Sequence, residues 1–249
     1  ELPGLYDEPF ADASAIPTTL LSRLVRQHVT VALSGDGGDE LFGGYAHYAK
    51  LARLLPATRV PLALRCVARR MMPPVGGESI HNALRHLAAG GASSVAYSLT
   101  SELSDEAISG LVGAENVRHN DVYAARFAAA RVDDPLRRAM AADACTYMVD
   151  DILVKVDRAS MSVALEARVP ILDHRVVRFG LSLPRSIIWH GGVTKAPLRE
   201  VLYRRVPRAL LERPKRGFGM PLHRLLVREM EMWTRHHLAP SRLAEDGLF

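Results

Sequence analysis

Apolar positions first recur at helical spacing between Ser14 and Gln27, where Leu20, Leu21, Leu24 and Val25 form one stripe. Asp12 or Ser14 stands where a capping side chain would start that helix. The pattern then changes. Val29, Thr30, Val31, Ala32 and Leu33 make a continuous β-branched and apolar run, too short for a helix and suited to a buried strand in a parallel sheet. Ser34-Gly35-Asp36-Gly37-Gly38-Asp39-Glu40 breaks the run. A helix-compatible stretch follows from Glu40 to Leu55, interrupted at Gly43 and Gly44. From Ala46 to Leu111 the pattern is mostly helical, punctuated at Pro56, Pro61, Pro73-Pro74, Gly76-Gly77 and Gly90-Gly91, with residues 56–78 and 88–94 read as mobile. Asp134-Pro135 is a strong helix start, a capping carboxylate followed by proline at the first helical position. That helix is expected to reach about Lys155, and most of 135–228 to be helical. No internal repeat is present.

The turn at 34–40 concentrates three glycines and three carboxylates behind an apolar strand. A strand that ends in such a turn and feeds a helix collects backbone N–H groups at one point, which suits an anion. Carboxylates there would repel a bare phosphate. A metal ion reconciles the two, and Mg²⁺ is the usual choice where oxygen ligands meet phosphates. The plainer reading leaves Asp39 and Glu40 as first-turn acids favoured by the helix dipole.

Composition narrows the class. The 249 residues are 48% hydrophobic and 24% charged, ordinary values for a globular protein able to bury a core. No apolar run has the length of a membrane span, and no signal peptide opens the chain, so a cytoplasmic setting without membrane association is expected. Glu1-Leu2-Pro3-Gly4 reads as the middle of something longer. Cys66 and Cys145 lie far apart with no metal-binding spacing and are expected to be buried thiols. The net charge is +5, yet nine Lys or Arg residues fall between Arg199 and Arg228 against only Glu200 and Glu212. Without interleaved aromatic residues that run does not argue for nucleic acid. A solvated helix face is the simpler account.

Two later stretches carry further polar density. Asp150-Asp151, Lys155, Asp157-Arg158 and Glu166-Ala167-Arg168 sit among Met, Val, Ala and Leu, which predicts buried polar groups that pair with one another. Whether those pairs are structural or belong to a site is open at this level. Arg213-Pro214-Lys215-Arg216-Gly217-Phe218-Gly219 is a basic glycine-rich loop able to close over phosphates.

Taken together, Asp7-Glu8-Pro9 with Pro17, LSGDGGDELFGGY (Leu33–Tyr45), VDRASMSVALEARVPILDH (Val156–His174), KAPLRE (Lys195–Glu200) and RPKRGFGMPL (Arg213–Leu222) resemble the synthetase domain of glutamine-dependent asparagine synthetases. The resemblance covers most of the chain outside residues 50–130. It implies an α/β fold, a parallel sheet of the adenine-nucleotide α-hydrolase-like type with a largely helical C-terminal portion. It implies that Mg·ATP activates the side-chain carboxylate of aspartate as an acyl-adenylate, which ammonia derived from glutamine converts to asparagine. By the same resemblance Asp39 is the Mg²⁺ ligand, and Ser34, Gly35, Gly37, Gly38 and Lys195 bind the nucleotide. Asp36, Lys215 and Glu166 carry the chemistry, with Glu166 and Arg168 positioning the aspartyl substrate. A homodimer and an upstream glutaminase domain of the same parent chain are the implied partners. The family's first phosphate loop, Ser-Gly-Gly-x-Asp-Ser after a strand, and its glutamine-hydrolysing cysteine do not occur in these residues. The chain is therefore expected to be the distal part of the synthetase domain and inactive alone. Two alternatives stay open: a related amidotransferase or lactam-forming enzyme acting on another carboxylate, and a helical interaction module without catalysis.

Overall fold

The computed structural model describes residues 1–71, 78–101, 103–113, 121–190, 193–212 and 219–247. Helix α1 (Ala15–Arg26) leads to strand β1 (Val31–Leu33) and the short helix α2 (Gly38–Phe42). Gly43, at φ 65, ends α2 in the left-handed region, and α3 (Ala46–Leu54) starts three residues later. The helical stretch read from Glu40 to Leu55 is thus real and is cut at the glycines. A helical region follows, comprising α4 (Leu62–Met71), α5 (Glu78–Ala88), α6 (Ala92–Ser98), α7 (Asp105–Val112) and α8 (Asp121–Ala129). Helix α9 (Pro135–Cys145) starts as its sequence indicates, with Asp134 Oδ1 accepting the Leu136 amide at 3.0 Å.

Past Thr146 the chain forms a π-helical turn, Met148–Leu153, before α10 (Val154–Met161). Ala164, at φ 54, then turns the backbone out of α10 into strand β2 (Glu166–Arg168). The remaining α-helices among the described residues are α11 (His174–Ser182), α12 (Arg185–Ile188), α13 (Ala196–Tyr203), α14 (Arg208–Leu211), α15 (Leu222–Arg224), α16 (Glu231–His237) and α17 (Pro240–Asp246). Residues 72–77 of the stretch read as mobile, and 213–218 of the basic loop with Lys215 and Arg216, lie outside the described residues.

β1 and β2 pair in parallel, with Val31 opposite Glu166, Ala32 opposite Ala167 and Leu33 opposite Arg168. Among the described residues these two strands make the whole sheet. The fold is α/β, mostly helical with a small parallel sheet. β2 was not anticipated from its sequence.

The core lies among the helices. Leu41 and Phe42 of α2, Tyr48 and Leu51 of α3, Val95 of α6, Tyr123 and Phe127 of α8, Leu136 and Met140 of α9 and Ile188 of α12 form one buried cluster. Each such side chain, fully buried, contributes roughly 1.5–3 kcal/mol. A Cβ on Gly180 would lie 3.2 Å from Leu41 Cβ and 3.4 Å from Phe42 Cζ, so α11 packs closely against α2. The glycine turn is therefore anchored by the buried cluster through Leu41 and Phe42.

Three expectations are corrected. The strand is not buried: Val31 is 38% and Leu33 73% exposed, because no further strand or helix among the described residues covers its outer face. The apolar stripe of α1 likewise faces outward at Leu20, Leu21 and Leu24, while the helix buries Ala15, Thr19 and Ser22 instead. That inner face packs on α10, where Ala159 and Ser160 are also small and allow close approach. Thr19 and Ser22 meet the cost of burial by donating to the Ala15 and Thr18 carbonyls, at 2.8 and 2.9 Å. Cys66 and Cys145 are exposed thiols. On α9 the inward positions are taken by Leu136, Ala139, Met140, Ala142 and Asp143, which leaves Cys145 on the outer side at the helix end.

Candidate active site

The turn leaves β1 at Ser34, whose amide donates to the Arg168 carbonyl at 2.8 Å and extends the ladder by one bond. Ser34 Oγ donates to Asp36 Oδ2 at 2.7 Å. Gly37, at φ 79, occupies the left-handed region and forms the N-cap of α2. A Cβ there would fall 2.3 Å from Leu172 Cδ2, so glycine is required by conformation and by space. A Cβ on Gly38 would approach Ile171 Cδ1 at 3.5 Å, Leu198 Cδ1 at 3.7 Å and Lys195 Nζ at 3.8 Å. The turn is thus packed against the segment after β2 and against the start of α13.

Asp39 and Lys195 form an ion pair, Nζ to Oδ2 at 2.9 Å, with both side chains about three-quarters buried. Glu40 points the other way. It is 1% exposed, and its Oε1 accepts the Tyr45 hydroxyl at 2.6 Å. Burial raises the Glu40 carboxyl above the usual carboxylate range, against the hydrogen bond from Tyr45. The Tyr45 hydroxyl is raised as well, by burial first and then by Glu40. Two adjacent acids therefore have different roles: Asp39 faces a cation, and Glu40 is locked into the core. Because α2 has only five residues, the field at this turn comes mainly from side chains and exposed amides, with little helix dipole behind it.

A second polar group joins the N-terminal segment to α10. Lys155, 7% exposed, pairs with Asp12, which also accepts the Ser14 amide at 2.8 Å and the Ser14 hydroxyl at 2.9 Å. Burial works to raise the Asp12 carboxyl, but the bonds from Lys155 and Ser14 prevail and hold it low. Asp151, on the π-helical turn, has a buried Oδ1 with no hydrogen-bond partner among the described residues. Burial and the neighbouring Asp12 push it up to about 6. Arg158 pairs with Asp7. The charge pattern is expected to pair within itself, but here its lysine and arginine take partners from the N-terminal segment, which fastens the Asp7-Glu8-Pro9 block to α10. Tyr147, whose ring meets Tyr45 edge-on at 6.1 Å, stands between this group and Glu40.

Glu166 and Arg168 pair with each other across β2 as expected, Nε to Oε1 at 2.7 Å, but they are not buried: both are more than half exposed, because nothing among the described residues covers that face of the strand. They share the face that carries Val31 and Leu33. The structure thus brings Ser34, Gly35, Asp36, Gly37, Gly38 and Asp39 together with Lys195 and the backbone of β2. The Glu166 and Arg168 side chains face outward beside them. Gly44 and the Glu40–Tyr45 pair are the features missed in the sequence; the doubled Gly43-Gly44 was the available signal. A cleft of about 270 Å³ lined by Ala49, Ala52, Arg53, Arg185, Trp189 and Thr194 contains none of the predicted site residues. Among the described residues no group of three or more His, Cys, Asp or Glu side chains could hold a metal. No helix of the described residues is long and apolar enough to cross a membrane.

A family model described as asparagine synthase matches residues 1–249. Glutamine-hydrolyzing asparagine synthetase 1 of Bacillus subtilis (strain 168) is 33% identical over 253 residues, covering 97% of this chain and 39% of its own length. A Mycobacterium tuberculosis (strain ATCC 25618 / H37Rv) protein provisionally named as a glutamine-hydrolyzing asparagine synthetase is 34% identical over 237 residues, 94% of this chain and 36% of that protein. The Homo sapiens glutamine-hydrolyzing asparagine synthetase is 39% identical over 76 residues, 29% of this chain and 13% of its own. The chain spans less than two fifths of the length of the curated relatives that it matches throughout. No solved structure matches it.

Proposed function

The chain belongs to the asparagine synthase family, and from that membership we propose that it carries the distal wall of an ATP-dependent amide synthetase site making asparagine. The observation that carries this reading is the convergence of the 34–39 turn, the 168–172 segment and Lys195 around the Asp39 carboxylate. In this reading the sheet is the distal part of one of the adenine-nucleotide α-hydrolase-like type. The outward apolar positions of α1 and β1 support it, since further strands and helices would cover them.

The donor set suits Mg²⁺ delivered with its nucleotide. That ion keeps several waters and binds through one or two carboxylates plus substrate phosphates, so a single Asp39 beside glycine amides is enough from this wall. When bound it neutralises charge on the phosphates. The chain's own residues do the rest. Gly35 and Gly37 offer amides to the phosphate chain, Gly38 lets it approach the turn closely, Ser34 is held by the Arg168 carbonyl and Asp36 and so fixes the start of the turn, and Lys195 lies beside them. Glu166 and Arg168 orient the aspartyl substrate at the edge of β2. One oxygen of the aspartate side-chain carboxylate attacks the α-phosphorus of ATP, and the bond to pyrophosphate breaks. Lys215 meets the negative charge that gathers on the leaving group. Ammonia then attacks the acyl carbon and AMP leaves. The ammonia would come from a glutamine-hydrolysing unit in the parent chain, as the relatives' names indicate, with the complete protein working in the cytoplasm as a homodimer.

ATP–pyrophosphate exchange tests the reading. The chain is supplemented with the upstream part of the Bacillus subtilis relative, and exchange is measured with aspartate, glutamate and no carboxylate. Exchange that requires aspartate supports the proposal. Exchange that prefers another carboxylate redirects it to a related amidotransferase, and none with any carboxylate overturns it.

A further inference from the structure

Lys195 does not reach Asp39 by chance of a mobile stem. Its backbone is in the left-handed region at φ 55, an uncommon conformation for a residue with a side chain, and its amide donates to the Phe42 carbonyl at 3.2 Å. Phe42 ends the same short helix that carries Asp39. Lysine and aspartate are therefore mounted on one rigid piece. The space for the pair is also built in. A Cβ on Gly44 would fall 2.0 Å from Asp39 Oδ1 and 2.0 Å from Lys195 Cε.

We propose that Lys195 is the counter-cation of Asp39 in the metal-free state, and that a divalent cation arriving with phosphate takes its place and releases the ammonium to that phosphate. The proposal rests on the reading of Asp39 as a metal ligand. An ion bonded to Asp39 would sit about 2 Å from its oxygen and so within a few ångströms of an ammonium still bonded there. Two cations at that separation repel strongly in a partly buried site. Only the lysine head needs to move, because its backbone stays fixed and its four-carbon stem is flexible. The released ammonium then lies where phosphates on the ion must be.

The exchange makes metal and phosphate mutually dependent. A bare cation must displace a lysine that gains nothing in return. A bare phosphate meets an ammonium already engaged and a carboxylate that repels it. Together each pays the other's cost, which is a positive coupling between two ligands and is reciprocal by thermodynamic necessity.

Calorimetry and Mn²⁺ electron paramagnetic resonance on the chain, with Mn²⁺ alone, pyrophosphate alone and both, test this without any turnover. In Lys195→Met, Mn²⁺ alone should bind about 3–10-fold more tightly than in the wild type, the scale of one removed charge neighbour in a partly buried site. The factor by which pyrophosphate tightens Mn²⁺ should fall by a similar amount. Lys195→Arg keeps the charge and should bind Mn²⁺ alone no more tightly than the wild type. If Lys195→Met fails to fold, Lys195→Gln is read instead. Unchanged or weaker Mn²⁺ binding in the neutral variant, or an unchanged coupling factor, overturns the exchange. Asp39→Asn tests the underlying reading separately: Mn²⁺ binding that survives it removes Asp39 as a ligand, whatever Lys195 does.

Discussion

The Ser34 amide donates to the Arg168 carbonyl at 2.8 Å, and this one bond carries the β1–β2 ladder into the glycine turn. Two stretches widely separated in sequence thereby share an edge. Ser34 and Asp36 come to lie beside the strand bearing Glu166 and Arg168, and the segment after that strand packs Ile171 and Leu172 under Gly38 and Gly37. A parallel pair needs a long crossover; here the crossover contains the helical core. The site is therefore as stable as the packing of α2, which the core holds at Leu41 and Phe42.

Gly44→Ala tests how tightly the turn is built. The added methyl would fall 2.0 Å from both Asp39 Oδ1 and Lys195 Cε, so the paired ends of both side chains must shift. A loss of about 1–3 kcal/mol is expected, the usual cost of overpacking. Thermal and urea denaturation measure it. A variant as stable as the wild type would mean that the pair separates at no cost.

Tyr45→Phe removes the Tyr45 hydroxyl that donates to the buried Glu40 carboxylate at 2.6 Å. Losing a hydrogen-bond donor to a buried carboxylate costs about 1–3 kcal/mol. Glu40 is already raised by burial, and losing Tyr45 should raise it further. Its ionised form is the one penalised, so the variant should lose more stability at pH 7.5 than at pH 4.5. Equal losses at the two values would mean that Glu40 does not titrate in that window.

Asp151 gives a second pH dependence. Its carboxyl titrates at about 6 in the folded chain, against an ordinary value of 3.8. Between those values the folded state holds more protons than the unfolded one, so this residue makes stability fall as pH rises. Asp12 acts in the opposite sense. Held low by Lys155 and Ser14, it contributes stability that is present above the ordinary carboxylate value and is lost as pH falls through its folded value. Asp151→Asn should therefore raise stability near pH 7.5 by about 1 kcal/mol, discounted for its half-buried position, and leave it little changed near pH 4. Denaturation midpoints across that range check the sign.

How much of this was legible in the sequence follows from what each feature depends on. The glycine turn and the break at Gly43-Gly44 are local, set by φ > 0 and by the loss of apolar pattern. They read correctly. β2 is three residues, two of them charged, and it is a strand only because β1 lies beside it. No local propensity in Glu166-Ala167-Arg168 announces that. The stripe on α1 read correctly as helical, but periodicity does not say which face turns inward, and the small Ala15-Thr19-Ser22 face won. The ion pair of Asp39 with Lys195 joins distant blocks, and only the family resemblance had put both residues in one site.

Charge at the phosphates should show in exchange kinetics. In the complemented protein Asp39→Asn should weaken Mg²⁺-dependent activity while leaving the fold intact. Lys215→Ala should lower kcat by roughly 10²–10³, the typical cost of one preorganised charge-stabilising donor. Wild-type ATP–pyrophosphate exchange in Lys215→Ala would remove that lysine from the mechanism.

The 249-residue chain alone is expected to make no asparagine from aspartate, ATP and ammonia, and to hydrolyse no glutamine. Positioning and electrostatic stabilisation supply nearly all the catalysis in phosphate chemistry. Asp39, Lys195 and the glycine amides form one wall of the proposed site, and the family's Ser-Gly-Gly-x-Asp-Ser loop, which does not occur in these residues, would form the other. With that wall missing, Mg·ATP should bind weakly and the α-phosphorus should not be held in line with the attacking carboxylate. Losses of many orders of magnitude follow from misplacement alone. Adding the upstream part of a relative, in cis or as a separate chain, should restore synthesis, measured as asparagine formed and pyrophosphate released. Turnover by the unsupplemented chain would mean that the first phosphate loop is dispensable, and that the glycine turn with Asp39 and Lys195 is by itself a complete site.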